Sequence, residues 1–296
     1  MTTRVTWDGP PLGRLAVIGV GQLGGSVALA ARAAGVVNEV VGFARNPETL
    51  RRARELGLID TAAGSAAEAA RGAAVIVLAT PVRSLAALAG ALAPAVARDA
   101  LVFDVASVKV PAVRALEPVL PPGTFVACHP IAGTERVGPD AASATLFAGR
   151  PCVLCPTATT DAAALTTVTR LWSTFGADVV MMDAAVHDRV LGASSHLPHV
   201  AAYALAAAVS GGEPKVLQQI GRLMTTSLRD TTRVAASSPA MWRDIFLDNR
   251  GEILPLIDRL LEQIQSLRAA ISDDDGERLD ALLAAAKQSR DRLIPG

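Results

Sequence analysis

Short apolar runs alternate with Ala-rich helical stretches from residue 15 to residue 182. The runs occupy residues 15–18, 40–43, 75–79, 101–105 and 125–128, and two more lie at 152–155 and 179–182. Runs this short between helical patterns read as strands buried on both faces, the signature of a doubly wound, mostly parallel α/β sheet. After Asp183 the strands cease, and helical periodicity fills 184–210, 215–236, 239–270 and 277–293. The pattern thus divides the chain into an α/β unit over residues 1–182 and an all-α C-terminal domain over residues 183–296.

Within the helical part, Asp273, Asp274, Asp275 and Gly276 read as a turn between two helices. Before it, Leu260, Leu261, Ile264, Leu267 and Ile271 keep a 3.6-residue spacing that predicts a buried stripe. A helical domain with so much apolar face predicts a homodimer through the C-terminal helices; an internal core would use the same stripe equally well.

Composition narrows the class of function. The 296 residues are 51% hydrophobic but only 3% aromatic, which predicts a large aliphatic core. Twenty-eight Lys and Arg balance 28 Asp and Glu, and no basic stripe is present, which argues against nucleic-acid binding. No run of about 18 uninterrupted apolar residues predicts a membrane span, and residues 1–14 do not read as an export signal, so a soluble, cytoplasmic protein is expected. Cys152 and Cys155 form a C-x-x-C, but on a strand residues three apart face opposite ways, so no redox pair is expected.

The first candidate chemistry follows the first strand. Gly19, Gly21 and Gly24 form G-x-G-x-x-G, with Gln22 and Leu23 at the start of the next helix. The first glycine permits a tight turn, the second lets the backbone approach a pyrophosphate, and the third lets helix and strand pack closely. This marks the α/β part as a Rossmann-type sheet that binds NAD or NADP. The acid that would hold an NAD ribose belongs near position 44, where Ala44 stands instead, followed by Arg45. A guanidinium beside a missing carboxylate favours NADP slightly.

Three further clusters fall beyond strand ends or in the facing helices. They are Asp104-Val-Ala-Ser107-Val-Lys109; His129-Pro-Ile-Ala-Gly133-Thr134-Glu135 with Leu146-Phe147-Ala-Gly149-Arg150; and Ser195-His196-Leu-Pro198-His199 with Arg229-Asp230-Thr-Thr-Arg233 and Met241-Trp242-Arg243-Asp244-Ile-Phe246. Together these segments, from about residue 14 to residue 270, resemble the prephenate/arogenate dehydrogenase family of tyrosine biosynthesis.

The resemblance implies an enzyme that oxidatively decarboxylates prephenate to 4-hydroxyphenylpyruvate, or arogenate to tyrosine, while reducing NAD(P). It implies that His129 withdraws the ring-hydroxyl proton, that Ser107 orients that hydroxyl, and that Arg233 binds a substrate carboxylate. Thr134, Glu135 and His199 match positions that line or gate the pocket, and Asp230 and Trp242 match positions that reach it from a neighbouring subunit. The side-chain chemistry agrees: an imidazole with pKa near 6.5 suits proton abstraction at working pH, and a guanidinium grips a carboxylate with two prongs.

The chain departs from the family pattern at Met224-Thr-Thr-Ser-Leu228, where relatives carry a glycine-rich turn. His196 and His199 lie three apart, as a zinc pair could, but no HExxH spacing accompanies them, so no metal is expected. Pro198 between them removes a helix donor to the Ser194 carbonyl and predicts a bend. His196 could equally be a core histidine. A different two-domain reductase would be expected to place a catalytic lysine on the helical domain, yet Lys215 and Lys287 sit in no such motif. A silent nucleotide sensor would have no use for His129, Ser107 and Arg233 around one crevice. For the substrate, the two-histidine helix favours prephenate over arogenate.

Overall fold

The protein is described by a computed structural model covering residues 6–134 and 136–293. The apolar runs become strands of one eight-stranded sheet. These are β1 (Arg14–Ile18), β2 (Glu39–Phe43), β3 (Thr61–Ala62), β4 (Val75–Leu78), β5 (Leu101–Asp104), β6 (Phe125–Pro130), β7 (Pro151–Cys155) and β8 (Asp178–Met181). Their spatial order is β3-β2-β1-β4-β5-β6-β7-β8. Strands β1 to β6 pair in parallel, β7 runs antiparallel to β6, and β8 is parallel to β7.

Parallel pairing requires crossovers, and helices supply them: α1 (Gln22–Ala33), α2 (Pro47–Glu55), α3 (Ala66–Ala70), α4 (Leu85–Leu92), α5 (Lys109–Leu116) and α6 (Ala162–Thr174). Both sheet faces are therefore covered. Leu15, Val17, Phe103 and Trp172 belong to one core, and Ala16, Ile18, Ile76 and Leu92 to the other. Cys152 lies in the first core and Cys155 in the second, each a free thiol. Strand β3 escaped the hydrophobic pattern because it is two residues long and both are exposed.

The chain from residue 184 onward is helical: α7 (Ala184–Leu191), a π turn (Gly192–His196), α8 (Leu197–Ser210), α9 (Pro214–Arg222), α10 (Thr226–Thr232), α11 (Pro239–Asp248), α12 (Arg250–Ser272) and α13 (Gly276–Leu293). The bend expected at Pro198 takes the form of that π turn, with the proline in the first turn of α8. Proline cannot donate to the Ser194 carbonyl, and the helix widens just before it. The runs 215–236 and 239–270 each divide in two. Thr225 caps α10 by accepting the Leu228 N–H at 3.3 Å, so the segment Met224–Leu228 enters the helix through an ordinary cap. Asn249 ends α11 and sends its side chain into the protein. The Asp273–Gly276 turn forms as expected, with Asp274 in the left-handed region at φ 54°.

Of the two uses expected for the α12 stripe, the internal core is the one that the single chain does not support. The stripe predicted to be buried on α12 is largely open in the single chain: Leu261, Ile264 and Ile271 are 51%, 51% and 65% exposed. Ile253 is covered where the helix meets α7 and the π turn, Leu260 and Leu267 are half-buried, and Ala270 is buried near the turn into α13. Its apolar spacing does not serve an internal core. Among the described residues, no helix is long and apolar enough to cross a membrane.

Candidate active site

The three glycines behave differently, and the difference marks out a cradle. Gly19 has φ +100°, and a Cβ there would lie 2.3 Å from the Ala79 oxygen. A Cβ on Gly24 would lie 2.1 Å from the Gly19 oxygen, so this glycine lets α1 lie against β1. A Cβ on Gly21 meets nothing within 4 Å, although this residue opens α1. The protein leaves vacant the surface where backbone N–H groups at a helix N-terminus would face a pyrophosphate, so these residues fit a dinucleotide. At the end of β2, Ala44 is half-buried and Arg45 is exposed, without an ion-pair partner among the described residues.

The helix that opens this cradle is clamped to the loop after β6. Gln22 Nε2 donates to Thr134 Oγ1 at 2.8 Å, and the Thr134 N–H donates to Gln22 Oε1 at 3.1 Å. Gly133, at φ +131°, brings the loop close enough for this exchange. Farther along, the Ser143 N–H donates to Ser26 Oγ, and Arg52 pairs with Asp140. Gln22 and Thr134 are thus brought together by the fold. Glu135 lies outside the described residues. Leu23 is half-buried and packs on the core behind the loop.

Beside the crevice, β5 stops pairing with β6 after Phe103 and Val126. Asp104 and Lys109, both fully buried, form an ion pair there. Asp104 Oδ1 accepts the Cys128 N–H at 3.0 Å, and Lys109 Nζ donates to the Cys128 carbonyl at 2.5 Å. The pair takes over the ladder bonds that β5 no longer supplies, and so fixes β6 one residue before His129. These two members of the first cluster are scaffold. Likewise, Phe147 of the second cluster is core, its ring edge-on to Trp172.

His129 is 8% exposed, and its Nδ1 lies 2.8 Å from Nε2 of His187 on α7. The other nitrogen of His187 lies 2.7 Å from Asp188 Oδ1. Asp188 also accepts the backbone N–H groups of Lys109 at 2.7 Å and Val110 at 2.9 Å, capping α5, whose own N-cap residue Val108 has no side-chain bond. Burial, and then the neighbouring His187, Lys109 and His196, hold the pKa of His129 well below 6.5. The sequence-based expectation of a value near 6.5 is thereby corrected, since an unbonded ring in water was the reference.

A second set of rings continues from this one. Asn249 Nδ2 donates to the Asp188 carbonyl at 2.8 Å and to His196 Nδ1 at 2.9 Å. His196 is buried, and burial pushes its pKa down to about 4, so it is a satisfied core histidine. His199 lies stacked on Trp242 with ring centroids 3.4 Å apart, and its Nδ1–H donates to the Ser195 carbonyl at 2.9 Å. Burial lowers the pKa of His199, the bond to the Ser195 carbonyl opposes this, and the charge of Arg233 adds to the lowering. Arg233 itself is exposed, in the turn after α10. Within the single chain Trp242 is buried and packs against Val108. Ser107, next to Val108, is half-buried in the turn between β5 and α5. Asp230 faces solvent beside Arg229 at 3.7 Å and is not gathered into this set.

Two family models divide the chain: that of the "Prephenate dehydrogenase, nucleotide-binding domain" matches residues 27–181, and that of the "Prephenate dehydrogenase, dimerization domain" matches residues 183–285. The chain belongs to the prephenate dehydrogenase family. It is 40% identical over 276 residues to the cyclohexadienyl dehydrogenase of Zymomonas mobilis, covering 93% of each protein. It is 34% identical over 277 residues to the prephenate dehydrogenase of Bacillus subtilis, covering 93% of this chain and 74% of that one. Among solved structures, prephenate dehydrogenase from A. aeolicus, in complex with hydroxyphenyl propionate and NAD+, superposes with a TM-score of 0.86 at 33% identity. That match covers 97% of this chain and 100% of the other.

For this prephenate dehydrogenase family member, sequence reasoning missed His187 and Asp188. The available signal was the His-Asp pair on the first helix after the sheet, in a chain with only four histidines. Nothing in local spacing joins them to His129, 58 residues earlier. Among the described residues, no group of three or more His, Cys, Asp or Glu side chains gathers as metal ligands.

Proposed function

We propose that the protein oxidatively decarboxylates prephenate to 4-hydroxyphenylpyruvate, with His129 as the base that takes the ring-hydroxyl proton. The observation that carries the reading is the placement of a buried, neutral imidazole at the carboxyl end of β6, on the crevice side of a sheet whose first turn is open for a dinucleotide. When bound, the nicotinamide accepts the hydride from the carbon that bears the hydroxyl.

In this reading His129 Nε2 takes the hydroxyl proton as that carbon becomes a carbonyl. The bond to the ring carboxylate then breaks, carbon dioxide leaves, and its electron pair makes the ring aromatic. His129 returns the proton to the phenolic oxygen, so the histidine ends as it began. A depressed pKa keeps the ring neutral and ready to accept, at some cost in basicity. The substrate's carboxylates would raise that pKa again as they enter. Ser107, on the turn beyond the neighbouring strand, orients the hydroxyl, and Arg233 with His199 anchors a carboxylate. Thr134 belongs to the loop that closes on the cofactor helix, and Glu135 keeps the pocket role that the family resemblance implies.

Arg45 supports use of NADP, whereas the A. aeolicus relative holds NAD+. A second reading, that arogenate is also accepted, is favoured by the cyclohexadienyl dehydrogenase name of the relative that is 40% identical. With His196 committed to Asn249, the two-histidine argument for prephenate alone is weaker. The open stripe on α12 and the match to a dimerization domain support a homodimer through the helical domain, residues 183–296, beside a cofactor domain of residues 1–182. We assign the protein to the cytoplasm. Kinetics on prephenate and arogenate, each with NAD+ and NADP+, followed by absorbance of the reduced cofactor, tests the whole reading. Prephenate should show the higher kcat/KM, and absence of turnover with every pairing would refute it.

A further inference from the structure

We infer that His187 and Asp188 are positioning residues that fix which nitrogen of His129 is the base. Asp188 holds His187 as an Nδ1–H donor, His187 Nε2 accepts the Nδ1–H of His129, and the lone pair on His129 Nε2 is left for the substrate. This rests on the reading of His129 as the base.

The argument is one of counting hydrogens. Asp188 Oδ1 accepts the Lys109 N–H and Oδ2 accepts the Val110 N–H, so the carboxylate is already used as an acceptor at the N-terminus of α5. The His187 nitrogen 2.7 Å from Oδ1 must therefore be the donor. With His187 taken in its neutral form, which carries one N–H, its Nε2 is a lone pair. His129 Nδ1, 2.8 Å away, must donate to it. The single hydrogen of neutral His129 is then spent, and its Nε2 can only accept. Without this chain the ring could carry its hydrogen on Nε2 and present a donor to the hydroxyl, which is useless for abstraction.

A merely structural role explains less. Asp188 could cap α5 without any histidine beside it, and an apolar side chain would fill the fully buried place of His187 without the cost of burying a ring nitrogen. Both ring nitrogens of His187 are engaged, one with the cap and one with His129. When His129 gains the proton, the groups that face it are Lys109 and Asp104 from the β5–α5 connection, His187 and Asp188 from α7, and His196 from the π turn. The Lys109 charge disfavours the imidazolium. Asp188, acting through His187, offsets that.

The chain has four histidines, so 15N-histidine labelling with single-residue variants for assignment can read each ring. In the full-length protein with NAD+ bound, near neutral pH, His129 should show a protonated Nδ1 and an unprotonated Nε2. A protonated Nε2 on neutral His129 overturns the inference. His187→Phe should lower kcat about 100-fold or more while the cofactor KM stays within about twofold, and His187→Gln, which keeps an acceptor, should recover part of the loss. Near wild-type kcat in His187→Phe would also overturn it. If that variant does not fold, the nitrogen assignment in the wild-type protein decides. Should the wild type fail to oxidise prephenate, the proposed substrate falls, while the spectrum still settles the tautomer of His129 one way or the other.

Discussion

Replacing Gly21 and Gly24 one at a time by Ala separates cofactor binding from folding. At Gly24 the new methyl would lie 2.1 Å from the Gly19 oxygen, 2.9 Å from Val17 Cγ1 and 3.0 Å from Ala79 Cβ. The closest of these is backbone and cannot rotate away, so α1 must retreat from β1 by roughly 1 Å in a close-packed interior. Overpacking of this kind costs about 1–3 kcal/mol, and a backbone clash belongs at the upper end. The better helix propensity of Ala offsets about 1 kcal/mol, leaving a net loss of about 2 kcal/mol. At Gly21 the methyl meets no protein atom within 4 Å, and φ −97° with ψ −156° is extended backbone that Ala adopts freely.

Gly21→Ala should therefore leave stability within about 0.5 kcal/mol of wild type. It should nonetheless weaken dinucleotide binding at least tenfold, about 1.4 kcal/mol, because the methyl occupies the approach to the helix N-terminus. Urea unfolding of the apoprotein and a fluorescence titration with NAD+ and NADP+ read the two effects separately. The reasoning is refuted if Gly24→Ala unfolds at the wild-type urea concentration, or if Gly21→Ala binds both dinucleotides with wild-type affinity.

Other outcomes follow from the same geometry. His129→Asn should lower kcat by about 10²- to 10⁴-fold with the cofactor Kd nearly unchanged, and near-normal turnover would remove His129 from its role. Because burial holds the pKa of His196 at about 4 in the folded chain, below its ordinary value of 6.5, the unfolded chain binds more protons between those values. This contribution to stability is complete above pH 6.5 and is lost as pH falls towards 4, by on the order of 3 kcal/mol for this residue. His129 acts in the same direction. Melting temperatures measured across that range should fall less steeply in His196→Gln than in wild type, and an unchanged slope would contradict the assignment. Finally, Leu261→Asp combined with Ile264→Asp should convert a dimer to a monomer by sedimentation. A persisting dimer would place the interface elsewhere.

The strands and the dinucleotide turn were legible along the chain because their causes are local. A run such as Val75-Ile-Val-Leu78 is buried on both faces, so hydrophobicity alone reveals it, whereas Thr61–Ala62, exposed and short, carries no such mark. The glycine turn was readable because steric exclusion acts between residues close in sequence: Gly24 is forbidden a side chain by Gly19, five residues earlier. The candidate base was reached through the resemblance of its motif, yet its partners were not, since His187 and Asp188 come to it only when α7 folds back across the ends of β5 and β6. Motif membership also failed to tell reacting residues from supporting ones. Asp104 and Lys109 stand beside Ser107 in one short segment, but their burial and their bonds to Cys128 make them the scaffold of β6.

By itself, then, the order of residues determined the sheet-then-helix layout, the cradle for a dinucleotide and the family. Those follow from periodicity, excluded volume between near neighbours, and long shared motifs. Tertiary structure alone decided which nitrogen partners His129, that Trp242 stacks on its own chain's His199, and that the α12 stripe faces outward. Hydrogen bonds, ring stacking and burial between segments far apart in the chain depend on where the segments meet, and no local pattern records the meeting.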